Sequence, residues 1–239
     1  MKTQQQARDC FVNSLIGNEG ELLRIFSAHD SIQIADIGAC EGFSTVHYAK
    51  MFPNATFHCF EPVDYNVSEI HQTINFYGIK DRVCVYRVAL SDQNGVAKMY
   101  VSTGQAPHVT TWNTGNKSSS LFEPTGHIKM HPWCKFGRRS VKTARLDDLL
   151  PEMKFHFVHM DVQGAEAAVL RGGEQVFRNT RAFWIEVAKK ELYAGQPLKG
   201  DIVKYMGKIG CRCTLDACAN DYGDMSFVAE PRQIQLLNY

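Results

Sequence analysis

No uninterrupted apolar run in the sequence approaches the ~20 residues that a membrane-spanning helix requires. The opening residues, Met1-Lys2-Thr3-Gln4-Gln5-Gln6, carry no apolar stretch of the kind that directs secretion. Excess charge is missing too, the formal net charge being +1. That balance supplies no general attraction to nucleic acid or to an anionic membrane, so neither is expected as a partner. Basic residues concentrate only in Lys135 to Lys142, read as a solvated loop or edge strand. Cysteine occurs eight times, but never as Cys-x-x-Cys. Cys59 and Cys84 lie within apolar runs and read as small buried hydrophobes in a reducing compartment, which points to the cytoplasm. His127, His131 and Cys134 have ligand-like spacing, and Cys211, Cys213 and Cys218 stand further on. Without a paired-cysteine knuckle, no structural metal site is expected there. No internal repeat and no linker divides the chain.

What is present suits one sizeable core: 239 residues, 44% of them hydrophobic. A helical segment over 1–30 is expected, with apolar spacing at Phe11, Leu15, Leu22, Leu23 and Phe26. Gly17 and Gly20 interrupt it, which suggests two short helices. Beyond it, 31–239 reads as a single domain in which strands alternate with helices. Strands are expected at Ile32–Ile37, Thr56–Phe60, Arg82–Val88, Phe155–Met160 and Ala182–Val187. Helices are expected at Ser44–Met51, Asp64–Tyr77 (with Asp64 as its cap), Ala165–Phe177 and Leu198–Ile209. Extended segments at Cys211–Leu215, Met225–Ala229 and Gln233–Leu237 close the chain. Val96–Val101 and Val141–Thr143 read as extra strands. The polar stretch between them, an insertion at about 102–140, reads as a lid or substrate-shaping loop, with His108, Trp112, His131 and Trp133 as plausible contacts. The whole is an open α/β sheet, mostly parallel, with helices on both faces and antiparallel strands at its C-terminal end.

Ligands of such sheets bind at the carboxyl ends of the strands. The first strand ends in Asp36, followed by Gly38-x-x-x-Gly42. The glycines allow a sharp turn and close approach, and the helix from Phe43 and Ser44 directs N–H groups back at the loop. The second strand ends in Glu61-Pro62, where a carboxylate is placed to accept from both hydroxyls of a ribose. A pyrophosphate-binding loop would carry Gly-x-Gly-x-x-Gly. Here Cys40 takes the place of the second glycine, which favours a nucleoside without a pyrophosphate, such as S-adenosylmethionine. The later strands end in His159-Met160-Asp161 and in Glu186. Alternation turns His159 and Asp161 to one face. His159 reads first as a core histidine, one pleat deeper than the edge. Asp161 and Glu186 can share a proton or a metal, or bind a polyhydroxylated substrate. Glu166 opens the next helix, where a carboxylate also suits the helix N-terminus.

These residues, with Ala89-Leu90-Ser91-Asp92, Ser118-Ser119-Ser120-Leu121, Leu146-Asp147-Asp148-Leu149 and Met160-Asp161-Val162-Gln163-Gly164-Ala165-Glu166-x-x-Val169-Leu170-x-Gly172, occur in an order that resembles the FkbM family of methyltransferases. The resemblance covers roughly Ile34 to Glu186. It implies a class I methyltransferase (Rossmann-like) three-layer sandwich, with S-adenosylmethionine as donor and a hydroxyl on a small molecule, sugar or glycan as acceptor. On that basis Asp36, Gly38, Ala39, Glu41, Gly42 and Ser44 belong to the donor loop. Glu61 with Pro62 takes the ribose, and Ala89, Leu90, Ser91 and Asp92 lie near the adenine. Asp161 stands beside the reacting centre as base or orienter, with Glu186 and His159 behind it. Gln163 departs from the Glu that many members carry there. No metal ligand is assigned, and divalent-metal dependence is left open. Three alternatives stand: a non-catalytic nucleoside-binding or regulatory protein of this fold, an N-methyltransferase, and a nicotinamide-linked oxidoreductase, against which the missing glycine argues.

Overall fold

The computed structural model describes residues 4–107 and 115–230. His108, Trp112 and the expected segment Gln233–Leu237 lie outside the described residues. Two helices, α1 (Gln4–Asn13) and α2 (Glu19–Ile25), open the chain. They part at Gly17, whose φ of 115° no helix accommodates. Because the helical register is lost there, the expected apolar face does not survive intact. Leu22 and Phe26 are buried and Val12 joins them, whereas Leu15 and Leu23 are exposed.

The sequence continues with β1 (Gln33–Ile37), α3 (Phe43–Met51), β2 (Thr56–Phe60), α4 (Asp64–Phe76), β3 (Val83–Tyr86), β4 (Ala89–Leu90), β5 (Gly95–Thr103), α5 (His127–Met130), β6 (Lys135–Ala144) and α6 (Leu146–Leu149). Then come β7 (Phe157–Met160), α7 (Glu166–Gly172), α8 (Glu174–Phe177), β8 (Ala182–Ala188), α9 (Lys199–Lys208), β9 (Cys211–Asp216) and β10 (Tyr222–Ala229). Asp64 does not cap α4 as expected. It is the first helical residue, and its carboxylate meets Arg87 at 2.9 Å on the surface. The helix expected over Ala165–Phe177 divides at Gly173 into α7 and α8.

The main sheet has the order β3-β2-β1-β7-β8-β10-β9. The first five of these run parallel, and β10 is antiparallel to both its neighbours. Strand alternation sorts the side chains into two cores. Ala35, Ile37, Val158, Met160 and Ile185 face α7 and α9, whereas Ile34, Phe57, Phe157 and Trp184 face the N-terminal helices. Strand order reverses between β1 and β7, so a crevice opens beyond their carboxyl ends.

The insertion departs from the expected loop. β5 and β6 pair antiparallel over their whole length, and β4 joins them to make a second, three-stranded sheet. The basic segment Lys135–Lys142 pairs with β5 on one side only, as an edge strand does, because β4 meets β6 beyond it, at Thr143 and Ala144. Its exposed Arg138 and Lys142 disguise an alternation whose apolar member, Val141, packs with Ala89 and Met99. This second sheet forms one wall of the crevice.

Candidate active site

The crevice holds a cavity of about 290 Å³, at the small end of the range for cofactor sites. Its edge is the loop after β1. Gly38 has φ +84°, and a Cβ there would fall 1.8 Å from the backbone oxygen of Asp161. Only glycine lets the loop lie against β7 in this way. Gly42, also left-handed, precedes α3. Glu61 reaches into the loop from β2: Cys40 N donates to its Oε2 at 3.0 Å, and Val63 N to its Oε1 at 2.8 Å. Burial pushes the Glu61 carboxyl up to about 7, although these N–H groups and Asn66 pull the other way. Glu41 is buried and receives Asn116 Nδ2 at 3.2 Å from the insertion. Phe60, Val88, Leu90, Met99 and Leu121 make an apolar bay suited to a purine.

Beyond the loop, the ends of β7 and β8 bring ionisable groups together. Gln163 Nε2 donates to Asp161 Oδ1 and to Glu186 Oε2, each at 2.7 Å. Its Oε1 accepts from Tyr193 OH at 2.7 Å, and its backbone oxygen accepts from Ser120 Oγ at 2.7 Å. Every polar group of this side chain is thus committed, and its φ of 55° is held by those partners. Burial first, then the charge of Asp161, pushes the Glu186 carboxyl well up. Burial likewise raises Glu166 to about 7, against N–H bonds from Val162 and Gly164. Asp224, across from Glu186 on β10, is raised to about 6. His159 Nδ1 lies 2.9 Å from Asp36 Oδ1. Burial would lower the His159 imidazole, but the hydrogen bond and charge of Asp36 outweigh it, and its pKa is raised.

The family described as the methyltransferase FkbM domain matches residues 36–220. The chain belongs to the FkbM methyltransferase family. The 2-O-methyltransferase NoeI of Sinorhizobium fredii (strain NBRC 101917 / NGR234) is 34% identical over 171 residues, 70% of this chain and 68% of that protein. Among solved structures, the methyltransferase FkbM from Methylobacillus flagellatus KT superposes with a TM-score of 0.55 at 12% identity, over 86% of this chain and 45% of that one. This chain thus spans less than half the length of that protein. The magnesium protoporphyrin IX methyltransferase of Synechocystis PCC 6803, solved with bound SAM, gives a TM-score of 0.50 at 13% identity, over 95% of this chain and 79% of that one. At such identities the superpositions show the fold alone, that of class I S-adenosylmethionine-dependent methyltransferases.

Within this FkbM methyltransferase, the residues expected at the donor site divide into two groups. Gly38, Ala39, Glu41 and Ser44 line the cavity, as do Glu61, Pro62, Ala89 and Leu90. Asp36, Gly42, Ser91 and Asp92 do not. Asp36 is fully buried behind the loop, where it holds Thr45 and His159. Gly42 packs on Ile70. Ser91 turns away, its N–H bonded to Ala144 O, and Asp92 meets Arg171 at 2.8 Å near the surface. His159 is no sealed core residue. With Asp161 it lines the cavity, whereas Glu186 lies just outside, behind Gln163. Sequence patterning overlooked Asn66, Asn116, Lys117 and Phe11, which also line it, because none sits at the end of a strand of the main sheet.

Asp161, Glu166 and Glu186 offer carboxylate oxygens within 4.8 Å of one another, the only such group of three among the described residues. All three already accept N–H groups, and the Gln163 amide nitrogen sits between Asp161 and Glu186. The set does not fit a cation as it stands. The rings of His127 and His131 lie 4.9 Å apart and tilted at 51°, but with Cys134 they form no such group. A nucleoside donor does fit. Its ribose hydroxyls and ammonium would supply protons to a wall built of acceptors at Glu61, Glu41 and Asn66.

Proposed function

We propose that this protein methylates a hydroxyl oxygen on a carbohydrate or another polyhydroxylated small molecule. The observation that carries the reading is the position of Asp161, a carboxylate open to the cavity at the end of β7 and held by Gln163 beside the donor loop. The 2-O-methyltransferase named above favours oxygen over nitrogen as the acceptor atom.

S-adenosylmethionine supplies an electrophilic methyl on a sulfonium, whose departure leaves a neutral thioether. The chain's task is alignment and removal of one proton. Gly38 to Glu41 and Glu61 would hold the nucleoside, while Gln163 keeps Asp161 from rotating. Asp161 accepts the acceptor hydroxyl's proton as the O–C bond forms and the S–C bond breaks, then passes it to solvent. Fixed approach of oxygen to methyl is worth about 7–11 kcal/mol of barrier in favourable cases. His159, oriented by Asp36, stands beside Asp161, whose charge adds to that of Asp36 in raising the imidazole's pKa.

The test is adenosylhomocysteine release in the presence of sugar and polyol acceptors, with the methylated atom located by NMR. Asp161→Asn is expected to lower kcat about 10²–10⁴-fold with adenosylhomocysteine affinity unchanged. Methyl found on nitrogen, or wild-type turnover in that variant, overturns the reading.

A further inference from the structure

Asn116 lies in the turn Gly115–Lys117 of the insertion and lines the cavity, although it is only 6% exposed. The turn is held firmly. A Cβ on Gly115 would fall 2.2 Å from Gly104 O, and Ser118 N donates to Ser102 Oγ at 3.0 Å. Asn116 Nδ2 faces three acceptors: Asn66 Oδ1 at 3.1 Å, Glu41 Oε1 at 3.2 Å and Cys40 Sγ at 3.7 Å. That crowding fixes which end of the amide is the nitrogen. The other end, Oδ1, is buried with no hydrogen-bond partner.

A buried acceptor without a donor is costly, and natural structures rarely leave one unless water or a ligand completes it. This corner has more acceptors than protons to satisfy them. Asn66 also bonds to Glu61, so Glu61, Asn66 and Asn116 form a continuous polar strip along one wall of the cavity. We infer that Asn116 is a donor-binding residue, its Oδ1 accepting a hydrogen bond from a ribose hydroxyl of the bound nucleoside. The inference rests on the donor reading of Glu61 and assigns the insertion a share in holding the donor.

The test is calorimetric binding of adenosylhomocysteine and its 2′-deoxy and 3′-deoxy forms to the full chain. Asn116→Leu is expected to bind adenosylhomocysteine about ten-fold more weakly than wild type. For one of the two deoxy ligands, the variant and wild type are expected to bind alike, because the hydroxyl that Asn116 receives is already gone. A purely structural role would weaken all three ligands equally, and that result overturns the inference, as does unchanged affinity for adenosylhomocysteine. Asn116→Ala serves as the second variant if leucine disrupts the turn. Failure of the wild-type protein to bind adenosylhomocysteine would instead overturn the donor reading of the cavity.

Discussion

Lowering the pH from about 8 to about 6 is expected to weaken adenosylhomocysteine binding roughly ten-fold through Glu61. This carboxyl is 4% exposed and burial pushes it up to about 7. Ribose hydroxyls donate best to the ionised form. At pH 8 about nine-tenths of Glu61 is ionised, and at pH 6 about one-tenth, which sets the size of the effect. Binding near pH 6 should therefore release close to one proton, measured by calorimetry in buffers of different ionisation enthalpy. The sign for the ligand-free protein follows from the same shift. The folded state holds this proton more tightly than the unfolded chain does, so stability is fully present below about pH 4.5. It is lost as pH rises through about 7, by about 3 kcal/mol for this group alone. Glu61→Gln cannot ionise, and its affinity should be flat with pH, with no proton released. An equal pH slope in the Gln variant, or none in wild type, would refute the reasoning.

Three further outcomes follow from the geometry. Gly38→Ala places a Cβ 1.8 Å from Asp161 O at a positive φ; a loss of roughly 3 kcal/mol or more is expected, with adenosylhomocysteine binding abolished, read by denaturation and calorimetry. Gln163→Leu removes both amide protons between Asp161 and Glu186, at about 3 kcal/mol near pH 8. Because Glu186 has a raised pKa and takes up a proton as pH falls, the loss should shrink toward pH 5, and equal losses at both pH values in urea unfolding would count against it. Asp36→Asn removes the charge that raises His159, so the imidazole should titrate lower by NMR, while a position unchanged from wild type would show that Asp36 does not govern it.

The loop and β2 residues that line the cavity were legible in the sequence because their placement depends on local rules. A left-handed loop needs glycine at Gly38 and Gly42, and a strand that ends at Phe60 leaves Glu61 at the crevice. Alternation alone turned His159 and Asp161 to one face. Other assignments depended on pairings between distant segments. Asp36 ends the first strand, but its register opposite His159 on β7 makes it a support for that histidine and removes it from the cavity. Ser91 follows Leu90 in sequence, yet its bond to Ala144 O carries it toward the second sheet and away from the cavity. The insertion read as a loop because basic residues on the solvent face of β6 hide its strand period, and only pairing with β5 reveals it. Gln163 stood out only as a departure from the family's Glu, and Asn116 not at all. Their roles arise from side chains that meet across 23 and 75 residues of chain, contacts that no local periodicity encodes.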